Sequence, residues 1–150
     1  MMIGGADMLP RIEPLWCELR DLHSSKSAHF SDQVHDMDFG SRRSGLLEKS
    51  YGGHILVQIV SLAGTPEKKD IAYCVSTVGL NGMAEIDSIY VAEGFRNAGL
   101  GGKLIEGALD WIGEHDVKEI RTTVLWGNEE VLPFYQLHGL YPRSIMLLRK

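Results

Sequence analysis

The segment from Ala84 to Ile112 limits the possible folds more than any other part of the sequence. Residues 84–91 alternate with the period of a β-strand, which would place Glu85, Asp87, Ile89 and Val91 on one face. From residue 100 onward, apolar side chains recur at helical spacing. The glycine-rich stretch NAGLGGK separates these two patterns. The segment is therefore predicted to fold as a strand, a glycine turn and an amphipathic helix.

This glycine turn is suited to binding a phosphate group. The first turn of a helix leaves backbone N–H groups without partners, and the helix dipole makes that end positive. Glycines keep those N–H groups accessible to a ligand. Two common phosphate motifs do not fit, because Leu100 stands where a Walker A loop has lysine and Leu104 stands where a dinucleotide fingerprint has its third glycine. The alternative is that the glycines only form a tight turn and a helix cap.

The pattern that does fit is R-x-x-G-x-G, formed by Arg96, Gly99 and Gly101 directly after the strand. It resembles the pyrophosphate loop of the GNAT superfamily, the acyl-CoA-dependent N-acyltransferases. The resemblance implies that acetyl-CoA is a co-substrate. It also implies which residues surround the pyrophosphate: Arg96, Asn97, Gly99, Gly101, Gly102 and Lys103.

The rest of the sequence predicts the element order β–α–α–β–β–β–α–β–α–β. Strands are predicted at 1–3, 54–62, 71–78, 84–91, 118–125 and 144–148, and helices at 9–23, 41–50, 99–114 and 129–138. A turn is predicted at Gly64-Thr65-Pro66, and a loop or short helix at 23–38. This order matches the GNAT acyl-CoA N-acyltransferase fold, an α+β fold in one domain, 1–150. That fold implies a mostly antiparallel sheet of six to seven strands, a splayed parallel pair and about four helices.

Composition excludes several classes of protein. The 150 residues are 44% hydrophobic and 23% charged, which is ordinary for one globular domain. No apolar run has the length of a membrane span, and the N-terminus lacks a signal-peptide pattern, so a cytoplasmic protein is expected. The net charge of −5 argues against a non-specific nucleic-acid binder. Two cysteines and six histidines without shared spacing predict neither a disulfide framework nor a metal site.

A second motif follows the last predicted parallel strand. Asn128, Phe134, Tyr135 and Gly139 form N-x-x-x-x-x-F-Y-x-x-x-G, which is similar to a GNAT signature. The resemblance implies that the Asn128 side chain contacts the cofactor arm and that the Tyr135 hydroxyl protonates the leaving thiolate. A phenol suits this role if it reaches the sulfur. The alternative is that Tyr135 is a core aromatic whose hydroxyl has a backbone partner.

An amine must lose a proton before it attacks a thioester, so a base is needed. Glu85 aligns with the position that the resemblance gives to a general base, while Asp87 is a candidate substrate contact. Both carboxylates have the alternatives of recognising a cationic substrate or pairing with a lysine or arginine, and ordered water is an alternative base. The resemblance also implies that the Ile89 backbone N–H stabilises the oxyanion and that Val91 binds the pantetheine amides.

Together these features predict an N-acetyltransferase that moves an acetyl group from acetyl-CoA to a primary amine in a ternary complex. The sequence does not select the amine, which is a small molecule or a peptide, and a homodimer is possible. Arg42 and Arg43 are predicted to form a solvated helix face, with an anionic-substrate contact as the alternative. A non-catalytic acyl-CoA sensor, or an acyltransferase that uses another acyl-CoA, remains an alternative function.

Overall fold

A computed structural model of the protein describes residues 1–64 and 68–150. In these residues one five-stranded sheet has the order β1-β2-β3-β4-β5. Neighbouring strands are antiparallel except β4 and β5, which run parallel. The strands are β1 Met2–Gly4, β2 His54–Ser61, β3 Asp70–Val78, β4 Met83–Val91 and β5 Glu119–Thr122.

The α-helices are α1 Glu13–Lys26, α2 Ser31–His35, α3 Phe39–Lys49, α4 Leu100–Gly113 and α5 Leu132–Leu137. Short 3₁₀ helices precede α1 at Ala6–Ile12, follow β4 at Glu93–Phe95 and precede α5 at Glu129–Val131. Pro14 lies in the first turn of α1, where its missing N–H has no intrahelical partner to lose. The segment predicted as a loop or short helix contains the short helix α2.

Helices cover both faces of the sheet. On one face, α1 and α3 bury Trp16, Leu46 and their neighbours against β2, β3 and Tyr90. On the other face, α4 buries Leu104 and Ile105 against Ile86 and the rest of a second cluster, which Tyr135 of α5 joins. The apolar stripe of α4 that the sequence predicted is therefore the stripe that packs on the sheet.

A β-bulge interrupts β4 at the position of Asp87. Ser76 of β3 pairs with Ile86, but the next residue, Val75, pairs with Ser88, so Asp87 has no partner on β3. The strict alternation predicted for this strand is therefore wrong beyond Ile86. Ile89 and Val91 pack on the α4 face together with Ile86, whereas Glu85 and Asp87 contact α3 on the opposite face. A bulge shifts the side-chain pattern by one residue, which no single strand sequence reveals.

Pairing between β4 and β5 stops in the middle of β4. The paired residues are Met83–Ile86 against Glu119–Thr122, and β4 continues unpaired on this side to Val91. The Thr122 hydroxyl donates to the Ile86 carbonyl oxygen at 2.9 Å, at the last paired position. We call this divergence of the two strands the fork. The splayed parallel pair that the resemblance implied is thus present.

Two predictions of strand extent are wrong. The strand predicted at 118–125 is shorter, because it leaves the sheet at the fork. The strand predicted at 144–148 is irregular, and Ile145 to Leu148 are 63–89% exposed. Aliphatic composition favours a strand only where a neighbouring edge supplies hydrogen bonds, and in the described part of the chain this segment has none. The sheet consequently has five strands, and the turn predicted at Thr65-Pro66 lies outside the described residues.

Within the described ranges, none of the helices combines the length and the apolar character needed to cross a membrane.

Truncation of Ile105 tests the packing of α4 on the sheet. Ile105 is fully buried, so Ile105→Ala leaves a cavity and is expected to lower the free energy of unfolding by about 2–5 kcal/mol. Urea denaturation followed by circular dichroism measures the change. The exposed neighbour Glu106 provides the control, since Glu106→Ala should change stability by less than about 0.5 kcal/mol. Equal stabilities of the two variants would contradict this account of the core.

Candidate functional site

A cavity of about 810 Å³ opens at the fork. Its walls come from four places: the unpaired half of β4, the chain that follows β5, the turn before α4, and α1 with the start of α3. The α5 segment adds Phe134 and Tyr135 to these walls. Most of the predicted site residues therefore line one continuous space.

The turn before α4 has the backbone of a phosphate-binding loop. Asn97 and Gly99 adopt left-handed φ angles of 62° and 75°, and α4 begins immediately afterwards. A Cβ added at Gly102 would meet no atom within 4 Å, so packing does not require glycine there. No side chain caps the helix start. The amides of this first turn thus remain uncapped, and residues 99–102 line the cavity, as binding of an anionic diphosphate requires.

Arg96 and Lys103 occupy different sides of this turn. The Nε of Arg96 donates to the Val91 carbonyl oxygen at 3.0 Å, and its guanidinium lies 5.6 Å from the centre of the Tyr90 ring. Arg96 therefore fixes the loop to the end of β4 while keeping its charge at the cavity. Lys103 is exposed on α4 and is not part of the cavity wall.

The interior of the fork lies between Ile89 and Val91 on one side and Thr122 to Leu125 on the other. In this part of β4 the backbone faces the opening instead of a neighbouring strand. Unpaired backbone N–H and C=O groups in such a slot offer the hydrogen bonds of an added strand. An extended molecule with amide groups can use them.

Tyr135 lines the cavity from α5. Its side chain is largely buried, and its ring contacts the Phe134 ring edge-on with centroids 5.3 Å apart. Burial raises the pKa of the Tyr135 hydroxyl, and the nearby Thr122 hydroxyl opposes that rise with a smaller effect. Tyr135 is consequently a neutral phenol at neutral pH, with its proton available. Its membership of the α4 core also agrees with the alternative of a packing aromatic.

Asn128 is buried and its side-chain oxygen accepts a hydrogen bond from Lys26 Nζ at 3.1 Å. Lys26 also forms an ion pair with Glu130. Gly127 permits this approach of α1, since a Cβ there would lie 2.2 Å from the Lys26 carbonyl oxygen. Lys26 is a site residue that the sequence did not indicate, because no motif relates the end of α1 to residues about a hundred positions later.

Glu85 and Asp87 share one cation. Lys49 Nζ lies 2.9 Å from Glu85 Oε2 and also contacts Asp87, while Arg121 Nε lies 3.1 Å from the same Glu85 oxygen. The Thr77 hydroxyl donates to Asp87 at 2.7 Å. Burial raises the pKa of Asp87, and the hydrogen bonds from Lys49 and Thr77 oppose that rise. The expected alternative of pairing with a neighbouring lysine or arginine is thus realised for both carboxylates.

Arg42 is bound to the bulge, contrary to the predicted solvated helix face. Its guanidinium donates to the Asp87 carbonyl oxygen at 2.9 Å and is half-buried at the cavity, whereas Arg43 is exposed. A bulge leaves a strand carbonyl without its ladder partner, and Arg42 satisfies it. No sequence pattern indicates this contact, because the bulge depends on the pairing of β4 with β3.

Two further groups bear on the chemistry of the site. Cys74 is fully buried in the sheet, and burial raises the pKa of its thiol to about 12, so it remains protonated. Across residues 1–64 and 68–150, no three or more histidine, cysteine, aspartate or glutamate side chains are grouped so as to hold a metal ion.

Solved structures with the same fold include several proteins of similar length. A tetramutant of the BH1408 protein from Bacillus halodurans is 18% identical, with 100% of this chain and 99% of that chain covered and a TM-score of 0.66. AAC(6')-Iy in complex with the bisubstrate analog CoA-S-monomethyl-acetylneamine is 18% identical, with coverage of 99% and 97% and a TM-score of 0.59.

A third structure is an aminoglycoside acetyltransferase, meta-AAC0020, from an uncultured soil metagenomic sample, in complex with trehalose. It is 16% identical, with coverage of 99% of this chain and 93% of that chain and a TM-score of 0.60. At these identities the similarity concerns the fold.

Among curated proteins, no sequence matches this chain significantly. The family model described as the acetyltransferase (GNAT) family matches residues 19–140. This match includes the glycine turn, both strands of the fork and the Asn128–Tyr135 segment, and it spans most of the sequence. The chain therefore belongs to the GNAT acetyltransferase family.

Proposed function

We propose that the protein is an N-acetyltransferase that transfers an acetyl group from acetyl-CoA to a primary amine by direct attack in a ternary complex. The observation that carries this proposal is the alignment of two features: a fork that exposes the backbone of β4, and a bare helix start directly beyond its open end. A thioester on a long amide-containing arm with a diphosphate at its far end fits that combination.

The diphosphate contacts the turn that precedes α4. The contact residues that we propose are Arg96, Asn97, Gly99, Gly101 and Gly102, and Lys103 follows them in the first turn of α4. Gly102 gives the clearest test of fit, since it lines the cavity at the helix start and a side chain added there would enter open space. Lys103, which lies outside the cavity wall, contributes only long-range positive charge from the solvent side.

The arm of the co-substrate lies in the fork. Val91 binds its amides through the backbone, Asn128 contacts it through the side-chain N–H groups that Lys26 leaves free, and the Ile89 N–H donates to the oxyanion. Tyr135 gives its proton to the departing thiolate, which its protonated state at neutral pH allows. No covalent acyl-enzyme is required.

Glu85 accepts the proton of the attacking amine, either directly or through a water molecule. Its carboxylate is 13% exposed, so it reaches the cavity, whereas the Asp87 carboxylate is fully buried. Asp87, the predicted substrate contact, is paired with Lys49 and acts on the acceptor only indirectly, by keeping Lys49 beside Glu85. Because Glu85 is paired with Lys49 and Arg121, its transfer of a proton from the amine requires these two cations to move away when the acceptor binds.

Two other proposals concern the setting of the enzyme. A cytoplasmic protein agrees with its free cysteines, Cys17 and Cys74. A homodimer agrees with the exposed apolar residues 145–148, which suit a strand on the sheet edge of a second copy. The acceptor is a small molecule or a peptide amine, and no nucleic-acid or membrane partner is proposed.

An added charge at Gly102 tests the diphosphate site. Gly102→Asp fills the open space and repels an anion, so the Kd for coenzyme A should rise by at least about tenfold, as measured by isothermal titration calorimetry. Gly94 is the matched control, because a Cβ there also meets nothing and the residue precedes the turn. Gly94→Asp should bind coenzyme A nearly as the unchanged protein does. The same Kd for both variants would remove the turn from the binding site.

Removal of the Tyr135 hydroxyl tests the acid. Tyr135→Phe should lower kcat for thiol release by about 10²-fold and leave the Kd for coenzyme A almost unchanged, since the ring stays in place. Thiol release with a panel of amines is followed with a thiol reagent. Tyr141→Phe, at an exposed position, is the control. An unchanged kcat would show that Tyr135 only packs.

The base is tested with Glu85→Gln, which keeps the shape of the side chain but cannot take a proton. If Glu85 is the base, kcat/KM should fall by about 10²-fold at neutral pH, and the loss should shrink at high pH where more of the amine is already neutral. Glu119→Gln, on the edge strand β5, is the control. A loss that stays the same at all pH values would assign Glu85 to binding and the base role to water.

Thiol release also separates the remaining alternatives. A non-catalytic acyl-CoA sensor binds coenzyme A but releases no thiol with any amine, and an enzyme for another acyl group shows a higher kcat/KM with longer or acidic acyl-CoA.

A further inference from the structure

We propose that the amine acceptor carries a carboxylate, as an amino acid or a peptide terminus does, and that Arg42 and Ser88 bind it. This inference rests on the proposed function, because it names the class of acceptor for the same cavity. An acceptor of this class differs from the polycationic acceptors that other enzymes of this kind would use.

Arg42 supplies a cation without a matching anion. One guanidinium nitrogen is held by the Asp87 carbonyl oxygen at 2.9 Å, which fixes the group at the cavity wall. Among residues 1–64 and 68–150, no carboxylate lies within 4.0 Å of this guanidinium. Its remaining N–H groups have no described side-chain or backbone acceptor, so a ligand oxygen can occupy them.

Two hydroxyls beside Arg42 also lack partners. Ser88 Oγ and Tyr73 Oη are buried, and neither has a hydrogen-bond partner in the described part of the chain. Burial raises the pKa of Tyr73, and the interaction of its hydroxyl with Ser88 and the charge of Arg42 oppose that rise, so the two hydroxyls lie close to each other but outside hydrogen-bond geometry. Buried polar groups without partners are rare in native proteins and indicate a missing partner. Ser88 lines the cavity, but its Oγ is covered in this conformation, so the side chain must rotate about χ1 to present the hydroxyl to a ligand.

The acidic groups of the cavity are already compensated. Lys49 and Arg121 pair with Glu85, Lys49 and Thr77 bind Asp87, and Lys26 pairs with Glu130. A polycation entering this cavity would meet no unpaired carboxylate of the described lining, and it would meet Arg42. The charge without a partner in this part of the cavity is therefore the positive charge of Arg42, and an anionic group on the acceptor complements it.

The arrangement fits an acceptor with an amine and a carboxylate close together. The carboxylate binds Arg42 and Ser88 beyond the bulge. The amine then lies towards Glu85 and the fork. Because Arg42 also holds the bulge carbonyl, binding of the carboxylate and the position of β4 are linked.

Matched acid and amide ligands test the inference without turnover. N-acetylglycine, N-acetylleucine and N-acetylphenylalanine are titrated into the complex of the protein with coenzyme A, each beside its primary amide, by isothermal titration calorimetry. The acid should bind at least about tenfold more tightly than the amide for the best side chain, since a charge-assisted hydrogen bond is lost in the amide. Equal Kd values, binding of neither ligand, or tighter binding of N-acetylspermidine would overturn the inference.

Variants locate the contact. Arg42→Gln keeps a donor for the Asp87 carbonyl but removes the charge, so the preference for the acid should fall to about twofold or less. Ser88→Ala should weaken acid binding by a few-fold, about what one neutral hydrogen bond contributes. Arg43→Gln, on the exposed side of the same helix, should keep the full preference. A preference that survives in Arg42→Gln would also overturn the assignment.

The acid and amide comparison is independent of the proposed catalysis. If acids are preferred but no amine releases thiol, the proposed function fails and the carboxylate site stands. If polyamines release thiol faster than amino acids, the acetyltransferase stands and the carboxylate site fails.

Discussion

The divergence of β4 from β5 is the constraint on which the site depends. Pairing stops at Ile86 and Thr122, where one hydroxyl-to-carbonyl hydrogen bond holds the last paired position. Directly beyond it, Asp87 bulges out of the β3–β4 ladder. A strand that pairs on both sides has no backbone groups left for a ligand. The bulge and the early end of β5 together free these groups at the centre of the molecule.

The rest of the structure stabilises this open strand instead of closing it. Arg42 satisfies the carbonyl that the bulge exposes, and Lys49 compensates the two carboxylates beside it. Arg96 binds the last carbonyl of β4 and so joins the end of the strand to the turn before α4. Leaving buried polar groups without partners is costly. Each of these contacts supplies such a partner, so β4 can stay open on this side without pairing with another strand.

The sequence was informative where one local pattern determines the structure. The alternation before residue 87, the glycines at 99–102 and the stripe of α4 each predicted a nearby element, and the glycine pattern indicated the family that the comparison with known families confirms. It failed where the outcome depends on distant partners. The bulge depends on β3, the pairs of Lys49 and Lys26 join residues 36 to 104 positions apart, and residues 144–148 lack a strand to pair with. The roles of Tyr135 and Glu85 remain predictions, because their positions agree with more than one role.

The central claim is that a diphosphate on the helix start and an arm in the fork act together. Calorimetric titration of the unchanged protein with coenzyme A and, separately, with pantetheine tests it most directly, because pantetheine has the arm but lacks the diphosphate. The account predicts clear binding of coenzyme A and a Kd for pantetheine at least about a hundredfold higher, as expected when several charge-assisted hydrogen bonds are lost. Correctly folded protein that gives no heat with coenzyme A, or that binds both ligands equally, would contradict it.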